Sequence, residues 1–124
     1  MRSLCTTFLL LLLTCGLAVG QGEIRYIGED DSPIASAVEI PEDRTLFWMS
    51  GTVPPVADED APEGSKARYG DMETQAIGTL QRVKDTLEEH GLSMNDVVFL
   101  KVYLAPDEDG SVNFEGWSAA YRKF

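Results

Sequence analysis

Cysteine is nearly absent. The 124-residue chain has two, Cys5 and Cys15, and both lie in an N-terminal stretch that reads as an export signal. The processed chain would then hold none, which excludes a disulfide framework, a thiolate nucleophile and a thiolate metal site. Histidine occurs once, at His90, which argues against a zinc site of the usual kind. Positive charge is scarce as well: 10 Lys and Arg against 21 Asp and Glu leave a formal net charge of −11. A phosphate backbone needs a basic footprint, so nucleic acid is excluded as a partner. The same acidity disfavours anionic membrane surfaces and serves solubility in an exposed compartment. Neither a metal nor a cofactor is expected.

Long apolar runs are lacking too. Phe8 to Leu13 are unbroken, and the apolar character continues to Val19. That is short of the roughly 20 residues a membrane span takes. With Arg2 before it and Ala18-Val19-Gly20 after it, the pattern fits a secretion signal over residues 1–20, cleaved before Gln21. Residues 21–124 would form one exported domain, periplasmic or secreted, with no membrane contact after cleavage. Leu12-Leu13-Thr14-Cys15 loosely resembles a lipid-attachment box, but Thr14 is bulky for the position before a modified cysteine, so simple cleavage ranks ahead of lipidation.

Present instead are segments of clear period. Residues 23–27 alternate Ile24 and Tyr26 with polar neighbours, as a short strand does. Ser32-Pro33 breaks it. Residues 35–40 and 44–50 read as two more strands around the turn Pro41-Glu42-Asp43, the second apolar enough to be covered on both faces. Residues 51–70 form a long loop rich in Pro, Gly and acids, of a length that is usually functional or mobile. A helix is expected over residues 71–90. Asp71 serves as its N-cap, Ala76, Ile77, Leu80, Val83 and Leu87 make one stripe, and Gly91 stops it. Residues 97–104 give a fourth strand. Ser111 or Asn113 then caps a second helix, with Phe114, Trp117, Tyr121 and Phe124 facing a core. The expected fold is α+β, an α/β sandwich in the order β-β-β-α-β-α, with closing strands expected beyond Phe124.

Several features invite chemistry and fail on spacing. Asp107-Glu108-Asp109-Gly110 puts its glycine fourth where an EF-hand loop needs it sixth, so this run and Asp58-Glu59-Asp60 read as solvated loops. His90 falls at a helix C-terminus with no nucleophile placed beside it by any motif. Ser50 and Gly51 remain. Glycine lets a ligand approach the backbone, and the following amides would donate hydrogen bonds. The plain alternative is a strand end turning into a loop.

Five motifs in order resemble the Rid family (reactive intermediate deaminase, YjgF-type). They are Ser50-Gly51-Thr52-Val53-Pro54; Gly70-Asp71 with Gln75; Gly91-Leu92-Ser93 with Asp96-Val97-Val98; Val102-Tyr103-Leu104; and Phe114 with Tyr121 and Phe124. The resemblance spans residues 24–124. It implies a chorismate-mutase-like homotrimer with small-molecule sites in clefts between subunits, lined here by Ser50 and Gly51. It also implies hydrolysis of enamines and imines such as 2-aminoacrylate to 2-keto acids and ammonia. The chain departs from the pattern at Ile34, where the family places a pocket tyrosine, and at Ser118, where it places an asparagine. The family's carboxylate-gripping arginine and water-positioning glutamate fall downstream of Phe124, so no catalytic residue is assigned here. The alternative is a non-catalytic trimeric protein that binds a small metabolite in the same cleft.

Overall fold

Asp71 begins the best-formed element of the chain for the reason the sequence indicates. In a computed structural model describing residues 22–30, 32, 34–107 and 109–124, its carboxylate accepts the Thr74 amide at 2.8 Å. Helix α1 then runs Met72–Glu89. The expected signal over residues 1–20 lies outside the described residues. The α1 C-terminus is closed by a Schellman arrangement, in which Leu92 N–H donates to Leu87 O at 2.9 Å and Gly91 N–H to Glu88 O at 3.0 Å. That turn needs a left-handed residue, and Gly91 supplies it at φ +73°.

The chain divides into two compact units, Met1–Leu46 and Phe47–Phe124. In the first, β1 (Arg25–Ile27) pairs antiparallel with β2 (Ala37–Glu39), with Tyr26 opposite Val38. Arg25 and Glu39 face each other across the ladder at 2.8 Å. Below them, the Arg44 guanidinium donates twice to Gly22 O, at 3.1 and 2.9 Å, while Gly22 N–H donates to Asp43. No residue of either strand is buried. A two-stranded ribbon of this kind is marginal on its own.

In the second unit α1 packs on α2 (Phe114–Tyr121), which Asn113, rather than Ser111, caps by accepting Gly116 N–H at 2.9 Å. Ser111 instead donates to Asp109. Among the described residues, the buried apolar ones are Ala76, Leu80, Leu87 and Ala120. Ile77 and Val83, the rest of the expected stripe, are half-buried. The expected aromatic face of α2 is corrected in part: Trp117 and Phe124 are half-buried, but Phe114 and Tyr121 are exposed. Gly116 and Ala120 make the buried face, while Phe114 is 64% exposed and Tyr121 37%. Small residues let the helices approach closely, and the aromatics are turned to the flank, where Trp117 stacks on Tyr121 at 5.6 Å. Lys123 closes the pair by an ion pair to Glu73 at 2.7 Å.

Two further corrections concern strands. Residues 44–50 and 97–104 run without helix, turn or bend, and neither joins a ladder. The first is also not covered on both faces, since Trp48 is 74% exposed. A strand's hydrogen bonds need a neighbour in register, and among the described residues none lies alongside. The coarse class holds, a small α+β chain with two helices and one two-stranded antiparallel sheet. The loop over residues 51–70 is pinned by its own groups. Ala57 and Asp58 amides donate to Arg68 O, and the Arg68 guanidinium donates to Glu59 O and Ala61 O.

Candidate functional site

Ser50 and Gly51 are both exposed and sit together on the run that leads into this loop. Gly51 is not in the left-handed region, and a Cβ added there would meet nothing within 4 Å. The fold itself therefore does not demand glycine at this position. What glycine provides is open access to the backbone from outside the chain.

The segment just beyond is held against α1. A Cβ on Gly78 would stand 2.6 Å from Pro55 Cδ, so the loop crosses the helix in contact with its backbone. One turn later Arg82 donates from Nη1 to Val53 O at 3.2 Å. The Gly78–Arg82 pair, four residues apart on one helix face, thus cradles residues 53–55. Arg82 places a guanidinium at the site that sequence reasoning missed, because it reads as one more charge off the apolar stripe. A glycine inside a strong helix pattern with an arginine four residues on was the available signal. Val53, 68% exposed, adds an apolar surface.

Other candidate groups are engaged structurally. His90 donates from Nδ1 to Thr86 O at 2.8 Å and packs its ring 4.8 Å from Phe47. Asp107 pairs with Lys66 at 2.6 Å, and Asp109 accepts the Ser111 hydroxyl and amide, which hold its carboxyl below the usual value. Asp96 is lowered in the same way by the Ser93 hydroxyl and amide, and Asp71 by the Thr74 amide and hydroxyl. Among the described residues no three His, Cys, Asp or Glu side chains gather as a metal site would require. No described helix is long and apolar enough to cross a membrane.

A shallow cavity of about 350 Å³ lies in the other unit, along Tyr26, Ile27, Glu29, Asp30 and Ser32. Its charged lining is acidic, which disfavours an anionic ligand. Ile34 is 69% exposed in that unit, and Ser118 is half-buried on α2. No protein-family model matches the chain, and no curated protein matches it.

Proposed function

We propose that this chain is a Rid-type domain that takes a small carboxylate of the 2-imino- or 2-keto-acid class. The ligand sits beside Ser50 and Gly51, on the segment that Arg82 meets at Val53, in a cleft completed between the subunits of a homotrimer. One observation carries the placement: the open backbone at Gly51 lies on the same segment whose Val53 carbonyl anchors the Arg82 guanidinium. A guanidinium with one N–H engaged retains further donors for a carboxylate, and such charge-assisted bonds are the strong ones. The activity implied by the five Rid-like motifs is hydrolysis of 2-aminoacrylate. Its imine tautomer gains water at the C=N carbon, the C–N bond breaks, and ammonia leaves with pyruvate. The second reading, binding without turnover, is favoured by Ile34, an alkyl group where the family has an aromatic hydroxyl.

The test couples the protein to a serine-degrading pyridoxal-phosphate enzyme and follows pyruvate. Faster release is expected, reduced about tenfold by Arg82→Met with the helix signal unchanged. No acceleration by a folded trimer eliminates the deaminase. Calorimetric binding of pyruvate by that same trimer then supports the second reading, and binding that Arg82→Met leaves intact refutes the placement.

A further inference from the structure

We propose that the clamp on Gly22 anchors a processed N-terminus, and that Gln21, the residue that cleavage exposes, closes into a pyroglutamyl cap in front of it. Both steps follow from the reading of residues 1–20 as a cleaved signal. Neither depends on what lies beyond Phe124 or on catalysis.

Gly22, the second residue of a chain cleaved before Gln21, is held through both of its backbone groups. Its N–H donates to Asp43 Oδ2 at 3.0 Å, and its carbonyl accepts from Arg44 Nε at 3.1 Å and Nη2 at 2.9 Å. A Cβ added there would stand 2.7 Å from Pro41 Cβ and 2.8 Å from Cγ, so glycine alone fits this close to the turn. Continuing the register of Arg25 opposite Glu39 would bring Gly22 opposite Glu42. That position falls in the turn over residues 41–44, where Arg44 N–H donates to Pro41 O at 3.2 Å. The Asp43 and Arg44 side chains thus supply the pairing that a further ladder rung would have supplied. A ribbon with no buried residue depends on such ties, and cleavage before Gln21 leaves this one whole.

Gln21 lies outside the described residues, and its part follows from covalent chemistry. A free α-amine of glutamine reaches its own side-chain amide in a five-membered ring. An α-amino group ordinarily titrates at about 8, so a share of it is neutral and nucleophilic near pH 7. The α-nitrogen attacks Cδ, the N–Cδ bond forms and the Cδ–Nε2 bond breaks. Nε2 leaves as ammonia, taking up the proton that the α-nitrogen gives up. One amide replaces another, the attack is intramolecular, and no oxidant, reductant or cofactor is consumed. The cap removes the ammonium that an aminopeptidase grips, and the clamp withholds the backbone behind it. Chain termini are preferred points of proteolytic entry, so an exported chain gains from both.

The experiment isolates the protein, expressed with its own signal, from the exported fraction after incubation at neutral pH. Free amines are dimethylated before trypsin is added, so that cyclisation during digestion is not counted, and the N-terminal peptide ending at Arg25 is weighed. It is expected to begin at residue 21, unlabelled and lighter by one ammonia, whereas a Gln21→Ala chain takes the label. A labelled Gln21 would overturn the cap, and a chain beginning at any other residue would overturn cap and anchor together. Once pyroglutamyl peptidase has removed the cap, a general aminopeptidase is expected to stall at Gly22. Arg44→Ala, or Asp43→Ala should the first not fold, is expected to let it pass about fivefold faster with the helix signal unchanged. Equal trimming of wild type and variant would overturn the anchor.

Discussion

The two uncovered runs, residues 44–50 and 97–104, are richer in apolar residues than the α1–α2 pair, yet among the described residues only the helices hold buried apolar side chains. Leu80 is 2% exposed and Ala120 is fully covered, whereas Trp48 and Tyr103 stand at 74% and 82%. The difference lies in where each element finds its hydrogen bonds. A helix satisfies its backbone within itself and needs only one partner face. A strand needs a neighbour for every amide it would pair. Apolar content alone therefore does not decide burial in this chain.

That contrast is broken first by truncation. Leu80→Ala is expected to cost about 2–5 kcal/mol, because it empties the largest fully buried side chain among the described residues. Trp48→Ala removes a larger side chain but is expected to change stability by no more than about 0.5 kcal/mol. Urea melts followed by helix circular dichroism separate the two. A Trp48→Ala loss as large as that of Leu80→Ala would mean residues 44–50 are packed in solution, and the contrast would fail.

Legibility follows the same division. The limits of α1 were readable to within a residue because Asp71, the stripe through Leu80 and Leu87, and Gly91 all act within the helix. The α2 period was readable, but its buried face was not. The sequence favours burying Phe114 and Tyr121, and the close approach of two helices favours Gly116 and Ala120 instead. Residues 44–50 and 97–104 have the composition of strands, but their pairing depends on neighbours that local sequence does not reveal. At the candidate site Ser50 and Gly51 were legible as a motif. Arg82 was not, because its role depends on the loop returning over Gly78.

The loop crossing gives a smaller and sharper test. Alanine at position 78 would ordinarily stabilise a helix interior by up to about 1 kcal/mol. Here its Cβ would meet Pro55 Cδ at 2.6 Å and Cγ at 2.8 Å, both in a stiff ring. Overpacking of that kind costs about 1–3 kcal/mol, so the clash outweighs the propensity. Gly78→Ala is expected to destabilise, and adding Pro55→Ala is expected to restore most of the loss. Destabilisation that Pro55→Ala leaves untouched would place the cause elsewhere in the helix.

The smallest expected effect concerns acid, and its sign follows from the caps. Asp71 has its carboxyl lowered from the ordinary 3.8, first by the Thr74 amide and then by the Thr74 hydroxyl. A group depressed on folding stabilises the native state above its unfolded value, and that contribution disappears as pH falls through the lowered native one. The cap should therefore be intact at neutral pH and weaken only below about 3.8. Asp71→Asn keeps a good N-cap without a titrating group. It is expected to leave the neutral melt nearly unchanged and to flatten the acid decline of the helix signal. Asp96 and Asp109 are lowered in the same sense, so some decline should remain in the single variant. A steeper decline in Asp71→Asn, or one beginning near neutrality, would show that acid acts first on the α1–α2 contact rather than on the cap.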